Sequence, residues 1–227
     1  ISLKRRFTME RPLMISTSDS LGLVRYSIAN GHLFEPPGGL LEYVMAGNGL
    51  WVRGQKPNLT VCFPLSPLTV RGLTPLQPEL HFSLPRVPHA ITEEILITAQ
   101  NTRDTDNRLV ESLFYLGWDQ VHWQLTMPAQ HQARTSVRPH ATADDTYQRA
   151  VIELHSHHEL TTCFSAQDNH DEQGFRIYSV IGDFLSGPRI LTRIGLYGHF
   201  LDIDSATIFE LPANLEPITP DHELTHV

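Results

Sequence analysis

Ten of the 16 prolines fall within the first 88 residues, and that density decides what this stretch can form. Proline breaks helix interiors and removes a donor from β-ladders, so short strands joined by turns are what remains. Leu59-Thr60-Val61-Cys62-Phe63 and Leu68-Thr69-Val70 are β-branched, apolar runs of strand length. Pro36-Pro37-Gly38-Gly39 and Gly47-Asn48-Gly49 are turn signals. The prolines at 64, 67, 75, 78 and 85 predict edge strands or extended arms. Residues 1–86 therefore read as a mostly β N-terminal region, a scaffold or docking part with no chemical signature of its own.

Histidine shows the opposite skew. Only His32 and His81 lie in the first 88 residues, and the other 11 of 13 follow. From Val87 the pattern turns helical, with Pro88 as a first helical residue and Ile91, Ile95, Leu96 and Ala99 on one face. That helix is expected to end near Thr102. Leu109 to Leu116 and Val121 to Leu125 read as a strand hairpin, residues 129–140 as polar and irregular, and Ala143 to Ala150 as a short helix. Strands are then expected at Val151 to His155, Phe175 to Gly182, Arg189 to Ile203 and Ala206 to Leu211. The fold class is α+β, with residues 87–227 as the second domain.

With 19% charged residues and a net charge of -8, the chain offers no basic stripe for nucleic acid or an anionic membrane. The one basic cluster, Lys4-Arg5-Arg6, is short and terminal. No run of about 18 apolar residues is present to span a bilayer. Two cysteines and the lack of an apolar signal core make a reducing cytoplasm the expected compartment.

The chemistry concentrates in His155-Ser156-His157, Ser165 and Asp168. Strand side chains alternate faces, so His155 and His157 point the same way, about 6–7 Å apart along the chain. A short loop then suffices to return Asp168 to the same point. Two imidazoles and one carboxylate leave a zinc ion with an open fourth position, the arrangement of catalytic rather than structural zinc. Water in that position would have its pKa lowered to about 7. Glu111, in the apolar run to Gly117, is the expected base, because burial raises a carboxyl pKa toward neutrality. Ser165 is placed to donate a hydrogen bond to a developing oxyanion.

His155-x-His157, seven residues, Ser165-x-x-Asp168 resembles the signature of the JAMM (MPN+/JAB) metallopeptidases at every defined position. Glu111-x-x-x-x-Leu116-Gly117, 44 residues before His155, is similar to that family's upstream catalytic Glu segment. The likeness covers roughly residues 87–211, and is strongest to a bacterial type whose gene clusters include ubiquitin-like components. It implies a JAB/MPN-like mixed β-sheet flanked by helices and one zinc ion on His155, His157 and Asp168. It also implies cleavage of a peptide or isopeptide bond at the tail of a ubiquitin-like protein or its conjugates. One departure is His158, where the family carries proline, which removes a stiffening residue from the loop but no ligand.

Each residue also has a plainer reading. Ser165-x-x-Asp168 is a helix capping box as well, and the two histidines alone would be exposed strand residues. Together the four positions arise by chance on the order of once in a few hundred chains. Glu153 and Glu94 are expected in surface salt bridges, and His158 and His170 in solvent. Cys163 is expected as a packed loop residue, Trp118 and Trp123 as packing at the hairpin, and Asp202-Ile203-Asp204 as a turn. Two other functions stay open: a non-catalytic scaffold binding partners through residues 1–86, and a zinc amidohydrolase of a small molecule. The oligomeric state is open too, a homodimer included.

Overall fold

The computed structural model describes residues 22–30, 39–140, 145–158 and 161–219. Lys4-Arg5-Arg6, Pro36 to Gly38 and the start of the expected 143–150 helix lie outside the described residues. The chain divides into two compact units, Ile1–Phe82 and Ser83–Val227. Within the second unit the Pro85 carbonyl accepts a hydrogen bond from the Trp123 indole.

Among the described residues, the first unit forms a five-stranded sheet: β1 (Val24–Ile28), β2 (Leu41–Ala46), β3 (Gly49–Lys56), β4 (Leu59–Pro67) and β5 (Glu79–Phe82), paired in that order. Only β1 and β2 run parallel. Val44 pairs with Trp51 across β2 and β3, and both are buried with Ala29, Ala46 and Cys62. Gly47-Asn48 turns β2 into β3, as its composition predicts, and a Cβ at Gly47 would sit 2.4 Å from the Leu73 carbonyl oxygen.

Two expectations for this unit need correcting. Leu68 to Val70 form no strand; the Val70 amide instead bonds the Gly47 carbonyl, laying the segment on the β2–β3 turn. Pro64 and Pro67 sit inside β4, which is not an edge strand. They are tolerated because β5 covers only Leu59 to Cys62, so each proline lies where β4 has one neighbour. A register shift between Leu50 and Trp51 fits the prolines against β3.

The second unit begins with α1 (His89–Asn101), preceded by Pro88 as an extended cap rather than its first turn. Thr92, Ile95, Leu96 and Ala99 form its buried stripe. Then follow β6 (Leu113–Trp118), β7 (Trp123–Thr126), β8 (Gln130–Gln132), β9 (Val137–Pro139), α2 (Asp145–Arg149) and β10 (Ala150–Ser156). After these come α3 (Ala166–Asp171), β11 (Arg176–Gly182), β12 (Arg189–Leu196), β13 (His199–Ile203) and the short β14 (Glu216–Pro217). The main sheet has the order β13-β12-β11-β10-β6-β7, with β14 beside β12. The fold is mixed α+β, dominated by strands.

β10 and β11 run parallel, so the chain must cross over between them, and α3 lies in that crossover. β10 is the central strand, hemmed by β6 and β11, and Ile152 and Leu154 on it are fully buried. No helix among the described residues is long and apolar enough to cross a membrane.

Four expectations fail here for local reasons. Residues 129–140 are not irregular but form the β8–β9 hairpin, invisible in a polar stretch. Arg189 to Ile203 is a hairpin rather than one strand. Tyr197 and Gly198 turn it with φ of 49° and 86°, the two left-handed residues of a tight primed turn. Ala206 to Leu211 is no strand: a 3₁₀ turn at Ser205–Thr207 buries Ile208 and Phe209, and Phe209 only bridges Val87. The strand expected from Leu109 begins only at Leu113, so Glu111 lies two residues before β6.

Candidate metal centre

His155 is the penultimate residue of β10, paired with Leu113 on β6 and Val180 on β11. His157 lies just past the strand, and its amide donates to the Ile181 carbonyl, continuing the ladder by one bond. Both side chains are buried. Their Nε2 atoms stand 3.1 Å apart. Asp168, on the first turn of α3, brings Oδ1 to 3.5 Å from His155 Nε2 and Oδ2 to 3.9 Å from His157 Nε2. Ligands of one tetrahedral zinc ion sit about 3.3 Å from each other. The three side chains thus offer one nitrogen or oxygen each, all within 4.8 Å of one another, and can hold a metal ion. Among the described residues no other His, Cys, Asp or Glu group does so.

The second ring nitrogens face acceptors. His157 Nδ1 is 3.2 Å from the Thr161 carbonyl, which holds the proton there and leaves Nε2 free as a ligand. His155 Nδ1 faces the Glu172 carboxylate at 3.8 Å. Burial pulls the His155 pKa far below its ordinary value, so the imidazole is neutral at pH 7, the form that binds metal. Two imidazoles and one carboxylate fit a divalent ion.

Ser165 caps α3: its Oγ accepts the Asp168 amide at 3.2 Å, and Asp168 Oδ2 accepts the Ser165 amide at 2.6 Å. The capping and ligand readings of this motif therefore coexist. Capping fixes the Asp168 rotamer, and the Ser165 hydroxyl proton is not spent on it.

Glu111 lines the same cleft, a space of about 410 Å³ shared with His155, His157, Ser165 and Asp168. It is 2% exposed, and its Oε1 is buried with no hydrogen-bond partner among the described residues. Burial, with the negative charge of Asp168 second, pushes its pKa up to about 8. The β8–β9 hairpin holds the backbone on both sides. The Glu111 amide donates to the Ala133 carbonyl, and Gln132 Nε2 donates to the Glu111 carbonyl at 2.9 Å.

The remaining residues scatter. Glu153 does form a salt bridge, to Arg176 at 3.0 Å, but half-buried in the cleft wall rather than on the surface. Glu94 is exposed on α1. His158 is not solvated: its ring packs 4.9 Å from Phe184 with both nitrogens buried, which depresses its pKa. His170 is exposed and pairs with Asp171. Cys163 is exposed rather than packed, 3.5 Å from the Thr161 hydroxyl. Trp118 and Trp123 pack edge to face, and Asp204 caps the 3₁₀ turn.

Sequence reasoning passed over Glu172 and Arg193. Glu172 is buried, and Arg193 reaches it through Nε at 3.0 Å and Nη2 at 2.6 Å. It also missed Gly182, where a Cβ would lie 2.8 Å from Thr162 Oγ1 and 3.4 Å from the His157 Cβ. A Gly at the exit of an apolar strand was the available signal for that close approach; the Glu172–Arg193 pair, 21 residues apart, left none. Comparison with protein-family models and with curated proteins finds no match to this chain.

Proposed function

We propose that the second unit is a zinc-dependent peptidase or isopeptidase of JAMM type, acting on the C-terminal tail of a ubiquitin-like protein or its conjugates. One observation carries the reading. A convergent His-His-Asp group shares a cleft with Glu111, a buried carboxyl whose Oε1 has no partner among the described residues. A structural carboxylate would be hydrogen-bonded, whereas one that must take up and release protons is left open on the reacting side. The sheet with a helix before it and Asp168 on the crossover helix supports a JAB/MPN-like assignment of the unit.

A bound zinc ion supplies Lewis-acid activation of water and of the scissile carbonyl. Glu111 takes the proton from the attacking water at its carboxyl and delivers it to the leaving amine, with a pKa near neutrality suited to both directions. The Ser165 hydroxyl donates to the oxygen that gains charge. The Thr161 carbonyl holds the outer nitrogen of His157, the Glu172 carboxylate faces that of His155 at 3.8 Å, and the Ser165–Asp168 capping box holds the carboxylate.

Metal analysis of the purified chain, combined with cleavage of ubiquitin-like fusions bearing a peptide or isopeptide at the tail, tests the proposal. About one zinc per chain and turnover lost in Glu111→Gln are expected. A chain that takes up no metal, or a Glu111→Gln variant as active as wild type, refutes it. The cleft volume of about 410 Å³ also suits a small amide, so turnover of small amides with no cleavage of tail fusions would favour an amidohydrolase. Metal uptake without turnover of either substrate would favour a scaffold.

A further inference from the structure

We infer that Glu172 is a positioning residue for the metal centre: its carboxylate faces His155 Nδ1 at 3.8 Å and, held by Arg193, favours the proton on that nitrogen and so fixes which nitrogen His155 offers to metal. The inference rests on the metal reading above and concerns residues that reading does not require.

Glu172 lies at the end of α3, one turn past Asp168, and its amide donates to the Asp168 carbonyl at 2.8 Å. One short helix thus carries both a ligand and the carboxylate behind another ligand. Oε1 faces His155 Nδ1 at 3.8 Å, while Oε2 takes two hydrogen bonds from Arg193. The division of labour leaves Oε1 to the imidazole. Arg193 in turn is confined on every side. Its guanidinium stacks between the Phe164 and Phe200 rings at 3.7 and 3.8 Å, and Nη1 donates to Asn169 Oδ1 at 2.5 Å. Both members of the pair are at most 5% exposed in their side chains.

A buried ion pair of this kind is a poor way to gain stability, since apolar residues of similar volume do as well or better. Its geometry makes sense in relation to His155. A carboxylate behind a ligating imidazole fixes its tautomer and ring orientation and raises its basicity, and losing such a partner typically weakens metal binding about 10–100-fold. The His155 ring edge packs 6.3 Å from Phe164, the same ring that stacks on Arg193, so the imidazole and its support share one wall.

The test compares metal affinity with fold stability in the full chain. Removing both charges together, in Glu172→Gln/Arg193→Met, avoids leaving one buried charge unpaired. Zinc affinity, by competition with a chromophoric chelator, is expected to fall about 10–100-fold, with the melting temperature of the metal-free protein unchanged or raised. A folded double variant with wild-type zinc affinity overturns the inference and leaves the metal site standing. A wild-type chain that binds no zinc overturns the metal reading, and this role with it. Should the double variant not fold, the ¹⁵N shifts of His155 in the zinc-loaded wild type decide. A protonated Nδ1 with metal on Nε2 is expected, and metal on Nδ1 overturns the inference.

Discussion

Replacing Glu111 by Gln should flatten the pH dependence of stability in the metal-free second unit. Burial holds the Glu111 carboxyl at about 8 in the folded chain, whereas unfolding returns it to about 4.3. Between those values the native state keeps a proton that the unfolded state has lost, so stability falls as pH rises. Each pH unit in this range costs up to about 1.4 kcal/mol, so wild type loses about 2 kcal/mol through this one residue between pH 6.5 and 8. Gln is isosteric and does not titrate. Glu172, whose pKa burial also raises against the opposing pull of Arg193, and His155 contribute slopes of their own, but equally in both proteins, so the difference isolates Glu111. The three tryptophans are Trp51, Trp118 and Trp123, and a Trp51→Phe background leaves the last two to report on the second unit. Urea unfolding with chelator present, at pH 6.5, 7.2 and 8, should show the variant gaining about 2 kcal/mol on wild type across the window. Parallel profiles would refute the burial argument and, with it, the case for Glu111 as a proton carrier tuned to neutral pH.

Three further outcomes follow from the site. Zinc at 1,000 times its Kd should stabilise the wild-type second unit by about 4 kcal/mol, seen as a chelator-reversible rise in melting temperature that His157→Ala abolishes. Ser165→Ala removes the cap on the Asp168 amide and should cost about 1 kcal/mol. Ser165→Thr keeps the cap, so restored stability and turnover in that variant would separate it from a merely tolerant surface site. Gly182→Ala puts a methyl 2.8 Å from Thr162 Oγ1 and against the His157 Cβ. It should cost about 1–3 kcal/mol and weaken zinc binding measured by chelator competition, while unchanged zinc affinity would show that the His157 loop yields freely.

The part of the site legible in the sequence is the part whose geometry is local. His155 and His157 share a face because a strand repeats every two residues, and β10 extends to Ser156, far enough to impose that parity. Asp168 and Ser165 belong to one helix start, where a capping box has a fixed spacing. The hairpin at Tyr197-Gly198 was lost because the apolar run continues through it; only the glycine marks a turn, and a left-handed Tyr before it gives no compositional sign. The β8–β9 hairpin was lost because its pairing uses no apolar alternation. Gln130 and Gln132 instead bond the backbone of Leu113 and Glu111 through their side-chain amides.

Those two glutamines bear on why Glu111 could be suspected from the sequence but not placed by it. Its position is set by a hairpin some 20 residues downstream, through the Gln132 side chain and the Ala133 carbonyl. Its ionisation is set first by burial under the assembled sheet and then by the charge of Asp168, which arrives from the β10–β11 crossover. The same holds for Glu172, whose neighbour Arg193 comes from β12, beyond the β11–β12 connection. In each case a ligand or base comes from a local motif, while the group that fixes its rotamer or its proton comes from a strand neighbour dictated by sheet order. Sheet order is a property of the whole unit, fixed by which apolar strands are buried between which. A sequence can therefore announce a metal-binding chemistry in a 14-residue stretch while the groups that would tune it stay invisible until the sheet is assembled.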